Sequence, residues 1–196
     1  VDLPGAFSLK GGGILENLTD SLTRSGTIGL DMVTRNLNFL TGLTGVTPDG
    51  SLVIPDSMSL KMKMEMNGPQ YKAKLDLKEG KGSMNVNAAL NSSTEVYTAD
   101  LKINDLQLHH FLPKDSIYEL SLSADAKGRG LDVMSFHSLA NLNLSLDQLH
   151  YARYHLSNVH LTGNLKGALA TAQLTSDNEL LKMTADAEYN LAHSYP

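Results

Sequence analysis

The residues with the widest chemical repertoire in this chain are its seven histidines. Three imidazoles can hold a metal ion if they converge on one point. His150, His155 and His160 are spaced by five. On a single strand, odd spacing turns His155 to the face opposite His150 and His160, so the three do not converge without a bulge. His109 and His110 are adjacent and point apart if the backbone is extended. There is no Cys, which excludes disulfides, thiolate ligands and cysteine nucleophiles. No Gly-x-Ser-x-Gly elbow, His-Glu-x-x-His pair or phosphate loop occurs. Asp186 and Glu188 form a carboxylate pair, but they alternate with apolar residues and read as solvated surface. Asn17-Leu-Thr, Asn91-Ser-Ser and Asn143-Leu-Ser match the glycosylation triplet, a pattern common by chance. The expectation is a non-enzymatic chain with no catalytic residue, no metal site and no cofactor.

What remains is a pattern, and its clearest stretch is Asp56 to Asn67. Met58, Leu60, Met62, Met64 and Met66 alternate without a break against Ser57, Ser59, Lys61, Lys63, Glu65 and Asn67. Strand side chains alternate faces, so one face is wholly apolar and the other wholly wet. Tyr71, Ala73, Leu75 and Leu77 continue the pattern. So do Met84, Val86 and Ala88, and then Tyr97, Ala99, Leu101 and Ile103. Tyr118, Leu120, Leu122, Ala124 and Ala126 follow, then Ala140, Leu142, Leu144 and Leu146. Leu161 and Leu165 lie in a further run, and Leu181, Met183, Ala185, Ala187 and Tyr189 close the series. Roughly a dozen strands at spacings of about 10–13 residues are the signature of an all-β chain. Phe7 and Leu9 start a short strand that Gly11–Gly13 are expected to break. Ile14, Leu15, Leu18 and Leu22 sit at helical spacing, which predicts a short amphipathic helix or an irregular turn. Two Phe-Leu knots, at 36–42 and 105–113, fit single helical turns. A loose repeat links them: strand, Phe-Leu knot, Asp-Ser, long strand, Gly. Residues 1–55 are read as N-terminal strands with a short helix or irregular segment and a loop, and 56–196 as a continuous antiparallel series.

The chain has 196 residues with 21 acidic and 16 basic side chains, a formal charge of −5. That balance argues against nucleic acid as a partner. The Lys run at 61, 63, 72, 74, 78 and 81 reads first as a wet outer wall and second as a surface that steers anionic headgroups. No apolar run approaches the ~18 residues of a membrane span, and no signal peptide is present. The start at Val-Asp-Leu-Pro-Gly reads as a segment of a longer protein.

Alternation says that one face is dry but not what covers it. A second sheet about 10 Å away would make a sandwich. A sheet bent along its length would instead enclose a trough between its own walls. Aromatics are few: four Phe, seven Tyr and no Trp. Inward residues such as Ala73, Ala88, Ala99, Ala124, Ala126, Ala185 and Ala187 are small. Both features favour a trough with width to spare. The Met row fits either ordinary core or a surface that adapts to variable partners.

Two stretches carry a family likeness: Ala99-Asp-Leu-Lys-Ile-Asn-Asp-Leu-Gln-Leu-His-His-Phe-Leu-Pro113 and Leu156-Ser-Asn-Val-His-Leu-Thr-Gly-Asn-Leu-Lys-Gly167. With the serial long strands, they resemble the TamB/AsmA-like proteins of the Gram-negative envelope, in their Bacteroides-type branch. The resemblance implies a U-shaped, taco-like β-structure with an apolar interior, located in the periplasm. It implies a parent protein anchored in the inner membrane, with roles in phospholipid movement and outer-membrane assembly. It also implies an outer-membrane barrel partner of the Omp85 type. The expected function is a conduit for phospholipid acyl chains. The expected lining is Met58, Leu60, Met62, Met64, Met66, Tyr71, Leu75, Leu77, Met84, Val86, Leu101, Ile103, Leu120, Leu122, Leu142, Leu144, Leu161, Leu165, Leu181 and Met183. The alternatives are a scaffold or chaperone that holds outer-membrane strands by edge pairing, and a structural β-sandwich of a surface protein.

Overall fold

Long alternating strands joined by tight turns make one antiparallel sheet in chain order. The computed structural model describes residues 1–35 and 53–191. Its strands are β1 Asp2–Leu3, β2 Phe7–Glu16, β3 Ser25–Thr34, β4 Met58–Asn67, β5 Gln70–Glu79, β6 Gly82–Asn91 and β7 Val96–Gln107. They continue as β8 Ile117–Arg129, β9 Leu139–Tyr151, β10 Tyr154–Leu156, β11 Val159–Lys166, β12 Leu169–Asn178 and β13 Leu181–Asn190. Each strand pairs with the next, except that β10 and β11 lie in succession along one edge of β9, β10 pairing with β9 alone and β11 leading on to β12. The sheet does not close into a barrel. Among the described residues no second sheet lies against it, so the two-sheet sandwich is not the architecture. β3 pairs with β4 from Ser25 to Val33, so the N-terminal strands and the later series share one sheet. Among the described residues no helix is long and apolar enough to cross a membrane.

The turns follow from local chemistry. Gly68 has φ +53°, and a Cβ there would lie 2.7 Å from the Leu22 carbonyl oxygen. Conformation and space both call for glycine between β4 and β5. One expectation near the N-terminus changes, and a second resolves to one of its two alternatives. Gly11–Gly13 do not break the first strand: β2 runs through them, with Gly12 opposite Gly29. Ile14 and Leu15 belong to that strand, and of the helix or irregular turn expected from Ile14 to Leu22 the turn forms, over 17–24, tied by Arg24 N–H donating to the Asp20 carbonyl at 2.9 Å. Cross-strand pairing to β3 outweighs the helical spacing of a few leucines. Of the two expected helical turns, Leu108–His110 forms a single 3-10 turn, and the knot at 36–42 lies outside the described residues.

Bulges keep the apolar face continuous past irregular sequence. Ile103 opposes Leu122 and Leu106 opposes Leu120, so β7 carries one extra residue. Asp105 takes φ +48° there, and its N–H donates to Ser121 Oγ at 2.8 Å. The bulge resets the alternation, which returns Leu106 to the face of Ile103. A similar shift near Ile117 moves Tyr118 out of the inward row in which alternation had placed it. Tyr118 packs instead between His109 and His150, with ring centroids 5.6 and 4.8 Å away.

Candidate apolar groove

Register places every expected lining residue on one face. One row crosses the sheet as Leu30, Met62, Leu75, Val86, Leu101, Ala124, Leu144, Leu161, Leu174 and Ala185. Successive rows lie about 7 Å apart, because every second residue faces inward. Row by row, side-chain size changes, and so does what the face does.

At one end the face is filled. Met58, Leu77, Ile103 and Leu106 are buried, with Met32, Leu60, Leu75, Met84, Leu101, Leu120 and Leu122 packed around them. Leu108 and Phe111, from the chain between β7 and β8, pack onto this cluster and plug the trough. Phe111 is held in turn by Val53 N–H, which donates to its carbonyl at 2.7 Å. Thr34, 1% exposed, receives Met58 N–H at 3.0 Å and donates to the Pro55 carbonyl at 2.7 Å. Full burial of such a Leu, Ile or Met contributes about 1.5–3 kcal/mol each.

Two rows further on, the face is hollow. The row Met64, Ala73, Ala88, Ala99 and Ala126 presents methyl groups where the plugged end presents Leu, Met and Ile. A cavity of about 410 Å³ opens over it, lined by Leu15, Ile28, Met64, Met66, Tyr71, Ala73, Ala88, Leu90, Tyr97, Ala99 and Leu131. Ligand sites commonly fall between about 300 and 1,000 Å³. Leu15 comes from β2 and Tyr97 from β7. On a flat sheet five strand spacings would separate them by roughly 24 Å, so the sheet bends for both to line one cavity. Met64 is 44% exposed and Leu131 58%, so this end is open. The far wall is half-covered: Leu142, Leu181 and Met183 are exposed, while Leu144, Leu161 and Leu165 are half-buried.

Part of the wet wall is paired with opposite charge. Lys61 stands between Asp31 and Asp76 in register. Lys63 pairs with Glu65, and Lys74 with Asp76 at 3.5 Å. The hydrogen bond and charge of Lys63 hold the Glu65 carboxyl below its ordinary range. These exposed pairs contribute little stability, and they engage Lys63 and Lys74, two of the six lysines read as a steering surface.

The histidines depart from the strand expectation. A tight turn at Ala152-Arg153 folds β10 onto β9, so His150 and His155 are cross-strand partners with stacked rings 4.1 Å apart. The His109 and His110 rings are also 4.1 Å apart, because the 3-10 turn brings them together. His160 lies away on β11, opposite Ser145 and Thr175. Among the described residues no group of three or more His, Asp or Glu side chains is placed to hold a metal ion. His110 Nδ1 lies 2.7 Å from Oε1 of Glu79, whose carboxylate is buried at the plugged end, with Oε2 lacking a partner.

Glu79 continues the Leu75, Leu77 alternation to the end of β5, opposite Met58. Sequence reasoning missed Leu15, Ile28, Leu90, Tyr97 and Leu131 as lining. Alternation alone identifies Ile28 and Tyr97, but nothing local marks Leu131. Comparison with protein-family models, curated proteins and solved structures returned no match.

Proposed function

We propose that this chain is a non-enzymatic segment of an envelope lipid conduit, which takes phospholipid acyl chains into the open end of its groove. The observation that carries the reading is the methyl-lined hollow over Ala73, Ala88 and Ala99, whose exposed lining is almost wholly apolar and which opens to solvent. An exposed surface of that kind gains by covering itself with hydrocarbon, at about 0.8 kcal/mol per buried CH₂, while the headgroup stays wet at the open side. On its resemblance to TamB/AsmA-like proteins, the segment belongs in the periplasm, with its parent protein anchored in the inner membrane. There it serves phospholipid movement between the membranes and outer-membrane assembly, with a barrel of the Omp85 type as partner.

A second reading has its own support. β13 has a strand neighbour on one side only among the described residues, so its edge is open to an outer-membrane strand by β-augmentation. One experiment separates the two: native mass spectrometry with solvent extraction of protein purified without detergent. Phospholipid at defined stoichiometry in the parent protein, lost in Met64→Asp with the β-sheet circular dichroism intact, is expected. A clean apo mass, with client-strand binding abolished by a proline in β13, would replace the conduit with the scaffold.

A further inference from the structure

We propose that the open end of the groove is a glycerophospholipid subsite in which Arg24 binds the phosphate while the acyl chain lies over Ala73, Ala88 and Ala99. The proposal rests on the lipid reading above and adds the headgroup chemistry and the residue that reads it.

Arg24 closes the turn between β2 and β3, at the rim of the hollow. Its guanidinium carbon lies 5.2 Å from the centroid of Tyr71, a lining residue, and its Nε donates to the Gly68 carbonyl at 3.2 Å. Backbone bonds hold the same corner: Gly68 N–H donates to the Arg24 carbonyl at 2.7 Å. The stack and the Nε bond fix the guanidinium plane. Among the described residues nothing accepts from its terminal nitrogens, so a bidentate edge stays free. That edge matches two oxygens of a phosphate.

The charge of Asp20 attracts Arg24, but the nearby carboxylate oxygens make their hydrogen bonds elsewhere. Asp20, in the same turn, spends one carboxylate oxygen on Leu22 N–H at 2.9 Å and the other on Thr23 Oγ at 2.8 Å. Glu16 accepts from Ser25 Oγ at 3.2 Å. Glu65 is paired with Lys63. Of the other cations on the nearby strands, Lys72 contributes to the lining of the hollow but alternates toward the outer face, as Lys127 does. Lys72 pairs in register with Glu65 and Ala89, and Lys127 with Thr98 and Asn141, all on the outer face. Arg24 is the cation that stacks on a lining side chain, Tyr71, at the rim of the hollow. A half-buried cation beside a cavity whose exposed lining is almost wholly apolar selects an amphiphile with an anionic end.

The test compares soluble dioctanoyl-phosphatidylglycerol with dioctanoylglycerol, which has the same chains and no phosphate, by isothermal titration calorimetry. Octanoate and inorganic phosphate serve as further ligands. The parent protein should prefer the phospholipid by about tenfold or more, and Arg24→Gln should erase that preference while dioctanoylglycerol binds as before. Arg24→Lys, which keeps the charge but not the fork, should fall between. Unchanged dioctanoylglycerol binding also reports that the variant's pocket has folded. Equal binding of both lipids by the parent protein, or a preference untouched in Arg24→Gln, would overturn the assignment and leave the groove standing. Octanoate equalling the phospholipid would overturn the phosphate in favour of any carboxylate. Inorganic phosphate binding alone would reduce the site to a free-anion site. Failure of both dioctanoyl lipids to bind would sink the groove reading itself.

Discussion

Replacing Ala88 with Leu separates a hollow from a core by a pair of opposite signs. Ala88 lies between Ala73 and Ala99 in register, on the floor of the cavity. In a filled core the added carbons would force side chains off their rotamers and cost about 1–3 kcal/mol. Over a cavity of about 410 Å³ they enter free space and cover apolar neighbours. Half of the burial of a leucine side chain contributes about 1 kcal/mol, so stability should hold or rise by up to that much. Lipid should respond the other way. Three added carbons displace about three CH₂ groups of an acyl chain, a loss of about 2.4 kcal/mol, or roughly 50-fold in affinity. Urea denaturation of apo protein measures the first quantity, and titration with dioctanoyl-phosphatidylglycerol the second. Destabilisation by 1 kcal/mol or more with affinity unchanged would refute the hollow and make the alanine row part of an ordinary core.

Two further outcomes follow from the same contrast between the ends of the groove. Ile103→Ala, at the plugged end, should cost about 2–5 kcal/mol by urea denaturation, whereas Leu142→Ala, 38% exposed, should cost under about 1 kcal/mol. Similar costs at both sites would argue against a plug confined to one end. In the turn that carries Arg24, the Leu22 N–H, then the Thr23 hydroxyl, hold the Asp20 carboxyl below its ordinary value of 3.8. A lowered folded-state value means that the contribution is complete above that ordinary value and is lost as pH falls through the lowered one. The amide resonances of Leu22 and Thr23 should therefore titrate with a midpoint below 3.8, and a midpoint at or above it would contradict the turn geometry.

Much of the fold was legible because a strand's face is decided locally. The two-residue period of Met58 to Met66, and of the runs after it, assigned the inward rows without any knowledge of neighbours. Where the local rule failed, a non-local contact had intervened. Gly11–Gly13 stay extended because β3 pairs along them. Tyr118 leaves the inward row because of a register shift against β9. His150 and His155 share a face because a tight turn, not a continuous strand, separates them. Arg24 carried no signal in the sequence, since its value lies in the distance to Tyr71, far along the chain.

The sequence by itself determined an all-β chain with one apolar and one wet face, because alternation is a property of each strand alone. It also supplied the small residues at 73, 88 and 99 that leave the hollow empty. Tertiary structure decided which length of the trough is open. Leu108 and Phe111 reach only the rows around Ile103 and Leu106, and the sheet must bend before Leu15 and Tyr97 can enclose one space. Both depend on how strands far apart in the chain come together, and no local pattern encodes that distance.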